Sequence, residues 1–230
     1  MITSREEMLR VIRRTLGREG PLPAETIAEL QKQLDDPKPR LIPKRAQVSH
    51  REQVRLFVQM ARESAASVEE VRTLRAIPGA AAAFLKRHNL PARLAVAPDP
   101  ALAEIQWDQR PSLTVRYGRA EPKDRTSVTG AFAGIAETGT LVLISGPGSP
   151  TTLNLLPDNH LVVLHTDQIV GSYEDGWVKL RERQRRKNGR WMMPRTVNYI
   201  TGPSRSADIE QTLLMGAHGP HRLHIMVVRG

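Results

Sequence analysis

The chain predicts an α/β fold: a mostly parallel sheet covered by helices, with an N-terminal helical arm. Three observations carry that expectation. Strand-like runs such as Arg93–Ala97, Leu113–Tyr117 and Leu161–Leu164 alternate with helical periods, which is the order of parallel strands joined by crossover helices. Leu141-Val142-Leu143-Ile144 has no polar break, as in a strand buried on both faces. The first 45 residues carry two short apolar stripes and then Pro37, Pro39 and Pro43, so helices should give way to an extended linker. Residues 1–45 are expected to form the arm and residues 46–230 the α/β domain.

The elements follow in order. Ser4 and Glu7 stand at capping-box spacing before Leu9, Ile12 and Leu16, and Gly17 falls where a helix would end. Ala24–Leu34 repeats the apolar period through Ile27, Leu30 and Leu34. Two small one-striped helices bury little by themselves, so the arm should dock on its own domain or on a partner chain, a homo-oligomer included. Val54, Phe57, Val58 and Ala61 share one face of a longer helix, Ser67 and Glu70 mark another capped start, and Pro78–Asn89 reads as a helix. Ser127–Val170 is the centre: two strands, a Gly-rich turn, a short helical piece and a third strand. Ser172–Lys187 and Ala207–Met215 are then expected as helices, with Thr196–Ile200 and Leu223–Val228 as strands.

Composition narrows the chemistry. The chain has 230 residues and no cysteine, which removes disulfides, a thiol nucleophile and any iron–sulfur cluster held by its own thiolates. No apolar run approaches a membrane span and no signal-peptide core is present, so a cytoplasmic protein is expected. A formal charge of +10 favours anionic partners. The densest basic run, Lys179–Arg190, could follow phosphates, but three each of Trp, Tyr and Phe are too few for a stacking platform, which argues against nucleic acid.

Three glycine-containing turns make the candidate site. Glu137-Thr138-Gly139 should lie at the tip of a buried sheet, where a carboxylate is costly unless paired or used; Glu137 is the first candidate catalytic residue. Gly146–Pro150 delivers the hydroxyls of Ser149 and Thr151 to a short helix. Thr201-Gly202-Pro203-Ser204-Arg205-Ser206 precedes the expected helix at Ala207, whose N-terminus would welcome an anion clamped by Arg205. The alternative is that Ser206 is only an N-cap and Gly202-Pro203 only a turn. Ligands of open α/β sheets bind beyond the carboxyl ends of the strands, where all three turns are expected. His160 and His218 are candidates for acid/base or carboxylate-binding roles, whereas His165, His221 and His224 read as core or surface residues. No histidine pair has the helical spacing of a metal site, and none is expected.

Together, Ala136-Glu137-Thr138-Gly139-Thr140, Asn154-Leu155-Leu156-Pro157 with His160, and Thr201 to Glu210 continuing to Gly216-Ala217-His218-Gly219-Pro220 resemble the lactate-utilisation protein C family, whose domain is the LUD domain. The resemblance implies a Rossmann-like sheet similar to the sugar-isomerase, CoA-transferase and formyltetrahydrofolate-cycloligase group. It also implies a role in oxidising L-lactate to pyruvate beside two iron–sulfur partner proteins; the turns read above would offer such an assembly a site for a small anionic metabolite, and the cofactor is unknown. Glu137 further resembles the glutamate nucleophile of the CoA-transferases, which keeps open a free-standing acyl-transfer or nucleotide-dependent ligase-type enzyme.

Overall fold

The computed structural model describes residues 3–18, 20–38, 41–184, 193–207 and 213–229. The chain divides into two compact units, Met1–Leu41 and Ile42–Gly230. The first holds α1 (Ser4–Thr15) and α2 (Ala24–Asp35). The capping box of α1 forms one residue earlier than expected: Thr3 Oγ1 accepts from the Glu6 amide at 3.3 Å and the Thr3 amide donates to the Glu6 carboxylate at 2.8 Å. Gly17 follows at φ +64°. Neither helix buries a residue.

In the second unit, α3 (His50–Glu63) is followed by β1 (Ser67–Val71), α4 (Ile77–Arg87), β2 (Arg93–Val96), α5 (Pro100–Ala103), β3 (Thr114–Tyr117) and β4 (Thr126–Gly130). After these come β5 (Ala133–Ile135), β6 (Thr140–Ile144), α6 (Thr152–Leu155), β7 (Asn159–His165), β8 (Ile169–Val170) and α7 (Tyr173–Gln184). The chain ends with β9 (Val197–Ile200), β10 (Arg205–Ala207), β11 (Leu213–Met215) and β12 (Arg222–Val228). Six strands form an all-parallel sheet in the order β1-β12-β7-β4-β2-β3. One face of it packs on α4 and α5 through Phe84, Leu85, Leu102, Leu161 and Val163. The other face packs on α3 and on a second sheet, β8-β5-β6-β9, through Phe57, Ala61, Leu141, Val162 and Ile225. Helix α7 covers the far side of that second sheet with Leu180, Tyr173 and Trp177 against Ile135 and Val142. The sequence therefore folds as an α/β protein with a parallel main sheet, as expected.

Three segments differ from the sequence expectation. Ser67–Val71 is a strand, not a helix start. Val68 packs in the α3-side core and Val71 in the α4-side core; three residues apart, they reach opposite faces of a strand, whereas a helix would place both on one face. Leu141–Ile144 is buried on both faces, but in the antiparallel hairpin β5–β6 of the second sheet. Ala207–Met215 is not a helix where it is described: β10 and β11 pair antiparallel, Ser206 opposite Leu214. Ser204 extends that ladder by donating to Pro220 O at 2.9 Å and accepting from the Gly216 amide at 3.0 Å. Residues 208–212 lie outside the described residues, as do residues 185–192, which hold most of the basic run and Trp191.

Candidate functional site

Two turns gather at the C-terminal end of α3, and two glycines set how closely they approach. Gly139 has φ +65°, and a Cβ there would lie 2.2 Å from the Ala61 amide nitrogen; Gly202 has φ +72°, and its Cβ would lie 2.0 Å from Ser64 O. Only glycine fits both the dihedral and the space. Between these turns Thr140 and Thr201 share a hydrogen bond at 2.6 Å, and Thr138 joins Thr140 at 2.7 Å and the Tyr173 hydroxyl at 3.1 Å. Glu137 is buried beside them. Its carboxylate accepts the Tyr173 amide at 3.2 Å, the first residue of α7, and its own amide donates to Gly171 O at 3.1 Å. The carboxylate thus compensates a helix N-terminus.

The loop after β9 walls a hollow of about 260 Å³ with Asn154, Leu155, His160, Tyr199 and Leu223. His160 is fully buried, and its Nε2 shares a hydrogen bond with Thr129 Oγ1 at 2.8 Å, while its Nδ1 has no protein partner. Burial pushes the imidazole down to about 3, so the ring is neutral at physiological pH. The Tyr199 ring packs instead against Tyr173 and Trp177 on the α7 side of the second sheet, where burial pushes its hydroxyl up to about 12. At the exposed edge, Arg205 donates to Ser64 O at 3.0 Å, and the His218 amide donates to Ser204 Oγ at 3.3 Å. The loops Thr201–Arg205 and Gly216–Pro220 are therefore stitched through Ser204.

Of the residues singled out in the sequence, the hollow unites His160, Gly202, Ser204, Arg205 and His218. It does not include Glu137, Thr138 or Gly139, which sit in the neighbouring turn. Ser149 lines a separate hollow of about 50 Å³ with Asp99, Gly130 and Arg183; Asn154 alone borders both. Thr151 precedes α6, and Ser206 pairs along the β10 backbone. The Gly146–Pro150 turn leaves the end of β6 opposite to the Glu137 turn, so the three turns do not share one rim. The larger hollow is also not at the carboxyl ends: His160 and Leu223 are the second residues of β7 and β12. The reason is the second sheet. Because β9 runs antiparallel to β6, with Ile200 opposite Leu141, its exit loop emerges beside the start of β6. Nor does Arg205 stand at a helix N-terminus, since β10 replaces the expected helix. Sequence reasoning missed Thr129 and Tyr199; the signal for the first was the polar run Thr126-Ser127-Val128-Thr129 within a buried strand.

Among the described residues no group of three or more His, Cys, Asp or Glu side chains could hold a metal ion, and no helix is long and apolar enough to cross a membrane.

Residues 125–228, which contain the whole hollow, match the model of the LUD domain. An uncharacterized protein of Neisseria meningitidis serogroup B is 40% identical over 100 residues, 44% of this chain and 40% of that protein. Lactate utilization protein C of a Geobacillus species is 36% identical over 94 residues, 41% of this chain and 38% of that protein. The same-named protein of Shouchella clausii is 32% identical over 122 residues, 53% and 51%. The chain therefore aligns with about half, or less, of the length of these curated relatives. The crystal structure of a DUF162 family protein from Deinococcus radiodurans superposes with a TM-score of 0.53 at 27% identity, over 79% of this chain and 99% of that one.

Proposed function

Because residues 125–228 match the LUD domain and resemble the lactate utilization C proteins, we propose that the chain serves lactate utilisation as a component that binds a small anionic molecule in the hollow walled by the Thr201–Arg205 loop. The observation that carries this reading is that the segment similar to the lactate utilization C proteins holds that hollow, with the unpartnered His160 Nδ1 inside and the Arg205 guanidinium at its edge. A guanidinium with further donors to spare is suited to a carboxylate or phosphate. His160, neutral and depressed, acts as a hydrogen-bonding group and not as a proton shuttle near pH 7.

Electron transfer in such a system needs redox groups. A chain without cysteine cannot ligate a cluster through thiolates, so iron–sulfur partner proteins are proposed to carry the electrons while this chain binds and organises. Glu137 has no part in this reading, because its carboxylate is occupied by the start of α7. The test is genetic. Deletion should abolish growth on L-lactate, the full chain should restore it, and Arg205→Ala should restore it poorly while folding normally. Undiminished lactate oxidation in the deletion strain would reject the proposal.

A further inference from the structure

Another hollow, of about 760 Å³, lies along α3 where the main sheet ends. Glu70 is the last residue but one of β1, and Thr166 and Arg229 directly follow β7 and β12. This hollow therefore stands beyond the carboxyl ends of three parallel strands, where open α/β sheets receive ligands. Its other wall is one stripe of α3: Arg51, Arg55 and Arg62, four and then seven residues apart, with Val54 and Val58 beside them. We propose that this hollow binds a phosphate monoester: Arg51 and Arg55 hold the phosphate, and an organic body lies on Val54 and Val58. The site is separate from the hollow around His160, and neither depends on the other.

Charge pairing singles out two of the arginines. Arg229 donates to Glu70 Oε2 at 2.6 and 3.0 Å, and Arg62 donates to Val68 O at 3.3 Å. Arg51 and Arg55 form no ion pair among the described residues. The carboxylates nearest to them in the helix are engaged: Glu52 accepts the Ser49 amide and hydroxyl at 3.1 and 2.6 Å, and Glu63 accepts from Gln59 at 2.9 Å. Two guanidiniums one turn apart, about 6 Å along the axis, repel each other until an anion bridges them. A carboxylate brings two oxygens and one charge to such a pair. A terminal phosphate brings three oxygens and nearly two charges, enough to accept from both forks. The volume falls within the roughly 300–1,000 Å³ of ligand pockets and leaves room beyond a phosphate for an organic body on the two valines. Glu63 and Glu70 on the same lining oppose a broad acidic protein face, which favours a compact guest.

Four probes separate the elements of this inference: 1-naphthyl phosphate carries phosphate and body, 1-naphthol lacks the phosphate, inorganic phosphate lacks the body, and 1-naphthoate puts a carboxylate in place of the phosphate. Titrated against the full chain at pH 7 by calorimetry, 1-naphthyl phosphate should bind about tenfold tighter than each of the others. Arg51→Gln and Arg55→Gln, both at exposed positions, should each weaken it by about tenfold. Arg93→Gln, an exposed cation at the amino end of β2, and Arg205→Ala should leave it unchanged. Binding that survives both α3 substitutions overturns the site, and so does binding that Arg93→Gln or Arg205→Ala weakens as much, since it would then follow the chain's charge of +10 or the other hollow. Equal affinity for 1-naphthoate or for inorganic phosphate overturns the ligand class. Capture of poly-glutamate through Arg51 and Arg55, with none of the small probes bound, would make the groove a docking face for an acidic protein and overturn the proposal as a whole.

Discussion

His160 and His224 sit on adjacent strands, yet they end in different regions. The register places His160 beside Leu223 and His224 beside Leu161, so the two rings leave opposite faces of the main sheet. Both are buried, both pair one ring nitrogen with a hydroxyl at 2.8 Å (Thr129 and Ser67), and both leave the other nitrogen unbonded. Burial depresses both, to about 3 and about 4. What differs is the surroundings. His224 stacks on Phe84 at 4.7 Å, and its Nε2 lies 3.8 Å from a Glu69 oxygen, too long for a hydrogen bond and a charge pair only if the ring protonates, which burial opposes. His160 borders a hollow. A buried, depressed histidine is thus no mark of a site by itself; the space its free nitrogen shares is what separates the two.

The largest effect should come from breaking the wall beside His160 while leaving His224 alone. Gly202→Ala combines a left-handed dihedral with a clash on Ser64 O and should cost about 3–5 kcal/mol in urea denaturation; near-normal stability would mean that the loop is not held against α3. Next is acidity. Each ring titrates at about 6.5 when unfolded and lower when folded, so the unfolded state takes up protons first and stability falls as pH drops below about 6.5, levelling off near the folded values. Each ring should cost about 2 kcal/mol at pH 5, from 1.5 pH units at 1.36 kcal/mol each. His224→Leu should remove its share of that slope, and an unchanged slope would exclude the ring as its source.

At neutral pH the comparison becomes finer. His160→Leu strands Thr129 Oγ1, a residue only 2% exposed, and should cost about 1–3 kcal/mol. His224→Leu leaves Ser67, which is exposed and can turn to water, and keeps an apolar contact with Phe84, so the cost should be under about 1 kcal/mol. Equal losses would erase the distinction drawn between the two faces. Smallest of all, Arg229→Ala removes an exposed pair with Glu70 and should change stability by less than about 1 kcal/mol.

The fold class was legible because burial writes itself into composition: Leu161–Leu164 is apolar without interruption and Leu223–Val228 is broken only by His224, as the middle of a parallel sheet demands. The division between two sheets was not legible, since the apolar run of β6 reads the same in either sheet and its partner β9 is fixed only by pairing across more than fifty residues. Ser67–Val71 looked helical because Ser and Glu three apart cap helices, and what overrides that local preference is the open edge of β12. At the site, Gly202, Ser204 and Arg205 were visible as a turn with a cation. Their true neighbours were hidden: Thr129 and Tyr199 lie on strands, where a polar residue does not announce whether it meets another strand, water or a ligand. Glu137 drew notice for a sound reason, the cost of a buried carboxylate, but its partner is the backbone of a helix that begins 36 residues later.

The register of β1 on β12, from Ser67 beside His224 to Val71 beside Val228, has a consequence for how the chain assembles. The earliest strand of the sheet to leave the ribosome has a single neighbour, and that neighbour is the last to be synthesised. Until it arrives, β1 must wait unpaired, and the start of β12 that carries Leu223 into the hollow is missing as well. Sheet completion and closure of the hollow should therefore be one event, so a shortened chain stopping at Pro220 should lose two strands and the hollow together.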